Sequence, residues 1–183
     1  VLDYVGGTIS PEMETPKLLW LKQNLPDTYH RAGYFFDLTD FLTWKATHSF
    51  ARSVCTVVCK WTYLAHENKW DESYFRTIGL EELVEDNFNK IGFEVVTPGT
   101  SLGNRLSQQA ASELGLPKGT PVAAGLIDAH AGAVGSIGAV NSEGCADPVA
   151  SMAYVFGTSA CTLTSSFEPK PVKGVWGPYF SAM

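Results

Sequence analysis

The sequence predicts an α/β fold, and three observations predict it. Helical patterns alternate with short apolar or β-branched runs along the chain. One run, Pro-Val-Ala-Ala-Gly-Leu-Ile over 121–127, is short, nearly continuous and bounded by proline and glycine. That is the pattern of a strand buried on both faces of a parallel sheet. The run delivers Asp128 to the start of a small-residue helix, Asp128-Ala-His130-Ala-Gly132-Ala-Val-Gly135. In open α/β sheets, ligands bind beyond the carboxyl ends of strands. Asp128 therefore reads either as a helix N-cap or as a general base aimed into a cleft, and both readings stand.

The elements follow in order. Val1 to Gly7 reads as a strand end and a Gly-Gly turn. Ser10-Pro11-Glu12 looks like an N-cap with proline at the first helical position, and Thr15-Pro16 offers a second start. Leu18, Leu21 and Leu25 then share one helical face, and Pro26 stops the helix. Tyr34-Phe35-Phe36 predicts a short strand. Asp37 and Asp40 read as helix-start residues, with Leu38, Phe41, Leu42 and Ala46 as the inner face. Residues 53–63 fit a strand by composition and a helix by the Cys55–Cys59–Tyr63 stripe, and periodicity leaves both open. Trp70-Asp71-Glu72 opens a short helix ending near Gly79, and Leu80 to Val84 makes another turn. Asn104 to Leu114 is amphipathic, with Leu106, Ala110 and Leu114 inward and Gly115 closing it. Asn141 to Pro148 is small and loop-like, the best domain boundary. Beyond it, 153–156 and 161–164 predict two strands around a tight turn.

Bulk properties narrow the function. With 183 residues, 45% of them hydrophobic, the chain can bury a core as one domain or parts of two. A net charge of −6 and the lack of any basic run argue against a nucleic-acid partner. No run of about 20 apolar residues predicts a membrane span. The first residue is Val1, without the basic start of a signal peptide, so a processed or excerpted chain is expected. Cys55 and Cys59 stand four apart and no CxxC pair exists, so no protein metal site is expected. Reduced, buried thiols in a cytoplasmic protein are the expectation instead.

A second motif lies near the carboxyl end. In Val155-Phe156-Gly157-Thr158-Ser159-Ala160-Cys161, a Gly-Thr-Ser turn sits between two β-like runs. Glycine permits close backbone approach, and the hydroxyls add donors, so such a turn can hold an anion. A base on one lobe facing a phosphate-binding hairpin on another is what transfer from ATP to a hydroxyl requires.

At this point the sequence resembles a known family, the FGGY carbohydrate kinases of the actin/hexokinase-like (ribonuclease H-like) ATPase superfamily. The resemblance covers nearly the whole chain. It rests on Gly6-Gly7-Thr-Ile-Ser-Pro-Glu-Met13, Pro16-Lys-Leu-Leu-Trp-Leu-Lys22 and Asp37-Leu-Thr-Asp-Phe-Leu-Thr43. It continues through Cys59-Lys60-Trp61, Gly125-Leu-Ile-Asp-Ala-His-Ala-Gly132 and Phe156-Gly-Thr-Ser159. The Ile-Asp-Ala-His-Ala-Gly form and the Cys-Lys-Trp segment are similar to the ribulokinase branch.

The resemblance implies roles. Asp128 matches the catalytic base that takes a proton from a sugar hydroxyl. Lys60 matches a lysine that contacts the ketopentose, and Ala129 and His130 flank the base and line the sugar pocket. Gly157 and Thr158 match the phosphate-binding turn for ATP, and Ser159 extends it. Mg²⁺ would bridge the phosphates. Residues 1–140 would be the later part of an incomplete amino-terminal lobe, and 149–183 the beginning of a carboxyl-terminal lobe. The implied reaction is ATP-dependent phosphorylation of a pentulose, D-ribulose first. A small-molecule sugar is then the partner, without nucleic acid or membrane, and a homodimer is left open. Three departures matter. The family's Asp-Gly-Thr phosphate motif and its later Gly-Gly-Gln-Ser and adenosine segments have no counterpart, and Thr47-His48 stands where many relatives have Thr-Gly. The rival expectation is therefore a catalytically incomplete piece that acts as a binding module.

Overall fold

The computed structural model describes residues 1–103, 105–157 and 160–183. A short 3-10 turn, Leu2–Tyr4, leads into α1 (Glu14–Asn24) and α2 (Pro26–Arg31). Ser10 does not start α1. Its hydroxyl accepts the Glu12 N–H at 3.2 Å, which fixes a turn ahead of the helix. Pro26 ends α1 as expected and serves as the first residue of α2, where its missing N–H has no intrahelical partner to lose.

No strand forms at Tyr34–Phe36. The segment is extended, but Phe35 bonds only to the Lys90 carbonyl at 2.7 Å, and its own carbonyl turns to Arg52. α3 (Leu38–Thr47) starts where Asp37 caps it, accepting the Thr39 N–H at 3.1 Å. Its inner face is not the expected one. Leu38 is 70% exposed and Leu42 57%, whereas Asp40 and Thr47 are buried. The polar face wins because the next element brings a backbone N–H and a hydroxyl that need an acceptor.

That element is a two-residue strand, β1 (Arg52–Ser53), running straight into α4 (Val54–Lys60). The segment left open by periodicity is thus mostly helix. All of its residues from Val54 to Cys59 are buried. An amphipathic stripe is a surface signature, and a helix buried all round does not show one. α4 is the spine of the main core. Around it pack Leu18 and Tyr29 from the first helices, then Trp61, Tyr63, Trp70, Phe75, Leu80, Leu83, Phe88 and Ile91.

α5 (Glu72–Thr77) and α6 (Glu81–Glu85) follow, the first capped by Asp71, which accepts the Tyr74 N–H at 3.2 Å. β2 (Val95–Val96) then pairs in parallel with β1, Arg52 opposite Val95 and Ser53 opposite Val96. α7 (Gln108–Leu114) is shorter than expected, starting at a Ser107 cap; Asn104 lies outside the described residues. Gly115 closes it at φ 67°, but Leu114 points outward.

The 121–127 run is extended, yet it is no parallel strand. It makes one antiparallel bridge, Ala123 to Ser101, with Leu102 N–H to Val122 O and Ala124 N–H to Thr100 O at 2.8 Å each. The ladder stops because the Gly125 carbonyl is taken by the Ser53 hydroxyl. α8 (Asp128–Ile137), an exposed loop, and the antiparallel pair β3 (Met152–Phe156) and β4 (Ala160–Thr164) complete the order. Cys145 and Cys161 are exposed, unlike the buried Cys55 and Cys59. No helix among the described residues is long and apolar enough to cross a membrane.

Candidate active site

The site is built at the amino end of α8. Ile127 occupies the cap position with extended backbone and offers no capping side chain. Asp128 is the first helical residue, not the cap. It is exposed, and its Oδ1 accepts the neighbouring Ala129 N–H at 2.7 Å. A carboxylate here is favoured by the helix dipole and stays free to meet a ligand.

What aims it is a chain of contacts running back to α3. The buried Asp40 carboxylate accepts the Ser53 N–H at 2.9 Å and the Thr56 hydroxyl at 2.6 Å. Ser53 in turn donates its hydroxyl to the Gly125 carbonyl at 2.6 Å and caps α4. Gly125 closes on α3 so tightly that a Cβ there would lie 2.7 Å from the Thr39 methyl. The segment entering Asp128 is therefore pinned to α3 and α4 together. Burial drives the Asp40 carboxyl up to about 6, with its two hydrogen bonds and the Arg52 charge opposing.

Arg52, at the start of the same junction, is also buried. Its guanidinium donates to three backbone carbonyls: Ile91 at 3.1 Å, Phe50 at 2.6 Å and Phe35 at 3.3 Å. It also stacks 3.8 Å from the Phe36 ring centre. Burial lowers it to about 10. Its five donors in a fixed fork suit this clasp of loops.

Lys60 closes α4 and is half-buried. His130, in the first turn of α8, is 7% exposed. Its Nε2 lies 3.6 Å from the Cys59 sulfur, and its Nδ1 has no partner. Burial pushes the imidazole below its usual value; the Lys60 charge adds to the drop and Asp128 opposes it. The charges of Lys60 and Asp128 thus both reach the His130 imidazole, and Ala129, between Asp128 and His130 in sequence, is half-buried.

The hairpin packs on α8. Ala153 and Leu163 meet Ala133 and Ile137, and a Cβ on Gly132 would touch the Val155 methyl at 3.4 Å. Val155 thus lies beside Gly132, in the second turn of α8. Gly157 is exposed, and among the described residues nothing lies within 4 Å of a Cβ placed on it. Thr158 and Ser159 lie outside the described residues.

Sequence reasoning missed the positioning residues. Asp40 reads locally as a helix-start residue and Ser53 as the first residue of a segment left open, and nothing local links them to Gly125, 72 residues beyond Ser53. The Cys55–Cys59 spacing was visible, but the approach of His130, 71 residues from Cys59, was not.

Residues 2–135 match the FGGY family of carbohydrate kinases, N-terminal domain. An FGGY carbohydrate kinase domain-containing protein of Homo sapiens is 57% identical over all of this chain and 34% of its own length. A D-ribulokinase of Saccharomyces cerevisiae is 38% identical over 97% of the chain and 28% of its own length. The chain thus spans about a third of the curated relatives it matches. Among solved structures, a ligand-bound xylulose kinase from Lactobacillus acidophilus superposes with a TM-score of 0.62 at 14% identity. It covers 78% of this chain and 27% of its own. At that identity the likeness is one of fold, the actin/hexokinase-like architecture.

Proposed function

Because this chain belongs to the FGGY family of carbohydrate kinases, we propose that it carries the general base of a pentulose kinase. The reaction is transfer of the ATP γ-phosphoryl group to a sugar hydroxyl, with D-ribulose as the first candidate acceptor. The 38% identity to a yeast D-ribulokinase supports that choice. The observation that carries the reading is the exposed Asp128 carboxylate at the amino end of α8, on a segment pinned through Gly125 and Ser53.

The roles follow from that arrangement. Asp128 takes the hydroxyl proton as the oxygen attacks phosphorus. Lys60 holds a sugar hydroxyl from the end of α4. Ala129 and His130 flank the base, His130 from behind. The Gly157-Thr158-Ser159 turn offers backbone donors to the phosphates of ATP. Mg²⁺ carried with ATP would supply charge neutralisation at the phosphates. The phosphate turn belongs to a second lobe beginning near residue 149. The reduced state expected of the buried Cys55 and Cys59 fits a cytoplasmic location.

The test is ADP release from ATP–Mg²⁺ against D-ribulose, other ketopentoses, a tetrulose and glycerol. It compares this chain with a version extended to the length of its relatives. Sugar-dependent turnover in the extended form is expected. ADP release indifferent to every sugar would overturn the reading in favour of an ATPase, and none at all in favour of a binding module.

A further inference from the structure

Beneath the candidate active site, α4 and α8 bring three ligating side chains together. The sulfurs of Cys55 and Cys59 and a ring nitrogen of His130 all lie within 4.8 Å of one another, and all three residues are buried. Cys55 and Cys59 sit one helical turn apart on α4, and His130 reaches them from the first turn of α8. The His130 Nδ1 has no hydrogen-bond partner although the residue is 7% exposed.

We propose that Cys55, Cys59 and His130 form a binding site for a thiophilic divalent cation of the Zn²⁺ class, clipping α4 to α8 behind Asp128. The distances fit. With Zn–N near 2.0 Å and Zn–S near 2.3 Å in a tetrahedron, sulfur and nitrogen stand ~3.5 Å apart. Cys59 Sγ and His130 Nε2 are 3.6 Å apart. Two sulfurs on one zinc stand ~3.8 Å apart, so inward shifts of about 1 Å close the set. The donor set also decides the ion. Two thiols and an imidazole select Zn²⁺ over hard cations such as Mg²⁺. Binding would displace the two thiol protons to solvent and leave the fourth position for a water. The site stands independently of the kinase reading, since it rests on the packing of two helices.

The test is an anaerobic Co²⁺ titration of the chain carrying Cys145→Ser and Cys161→Ser, which removes the exposed thiols. Sulfur-to-cobalt charge-transfer and tetrahedral ligand-field absorption, saturating at one equivalent and bleached by Zn²⁺, are expected. Adding Cys59→Ser should abolish the charge-transfer intensity or weaken binding by at least the roughly 10–100-fold seen for loss of a mere outer-shell partner. Adding His130→Ala should weaken it comparably. No charge-transfer band with Cys55 and Cys59 intact overturns the site, whatever the variants do. A band that persists without Cys59, or one equally strong in urea, overturns it as well.

Discussion

The hydroxyl of Ser53 donates to the carbonyl of Gly125 at 2.6 Å, and that one bond joins the α3–α4 junction to the segment that ends in Asp128. The same serine receives the Asp40 carboxylate at its N–H and caps α4. Three structural duties therefore meet in one residue, two of them in a side chain of two heavy atoms.

Ser53→Ala is expected to remove the cap and orphan the Gly125 carbonyl. Each loss is worth about 1–2 kcal/mol, so a total loss of about 2–4 kcal/mol should appear as a lower urea midpoint. A change below about 0.5 kcal/mol would show that Gly125 finds another donor.

Asp40 gives stability a pH dependence of unusual sign for a carboxylate. Its folded value is about 6 against 3.8 in a free side chain, because burial disfavours the charge. The folded state therefore binds the proton more tightly. The contribution is fully present below 3.8 and is lost as pH rises through about 6. Asp40→Asn keeps an acceptor for Ser53 and can donate to Thr56, whose hydroxyl already reaches the Ser53 carbonyl at 2.8 Å. The variant should flatten the decline across that window, measured by urea unfolding at stepped pH. An unchanged slope would move the titration to another group.

Arg52 should not tolerate lysine. The guanidinium satisfies three carbonyls at once, and an ammonium on a shorter stem cannot hold that fork. Arg52→Lys is expected to lose roughly 1–3 kcal/mol. Gly92→Ala should be destabilising for a linked reason. Its Cβ would lie 2.7 Å from the Arg52 Cγ, at a φ of +98°. Thermal melts of the two variants and their double should show less than additive losses, because both disturb one contact.

His48 closes α3 in the left-handed region at φ 62°. Glycine adopts that conformation without the roughly 1–2 kcal/mol that a Cβ costs there. His48→Gly should raise the melting temperature, with a gain of up to about 1 kcal/mol after the greater chain entropy of glycine is deducted. A lower melting temperature would show that the imidazole makes a contact worth more than the strain.

Asp128→Asn, in the extended chain, should reduce turnover by roughly 10²–10⁴ while leaving the melting curve in place. The second half follows from exposure, since among the described residues its side chain bonds only to the adjacent Ala129 N–H. Lys60→Met should instead raise KM for the sugar more than it lowers kcat. Near-normal turnover in the Asn variant would remove Asp128 from the role of base.

Sequence alone determined features whose causes are local. Asp37, Asp71 and Gly115 marked helix ends because capping is a contact within a few residues. The β3–β4 hairpin and the placement of Asp128 at a helix start were legible for the same reason, as was the family, which several motifs in order identify. Tertiary structure decided the rest. α4 became a helix buried on all sides, which no 3.6-residue stripe announces. α3 turned Asp40 inward because Ser53 and Thr56 offered it donors from 13 and 16 residues away. The 121–127 run formed one antiparallel bridge instead of the expected parallel strand, and its Gly125 carbonyl bonded to Ser53. A buried polar group must find its partner wherever the chain brings one, and that partner is fixed by packing rather than by sequence neighbours.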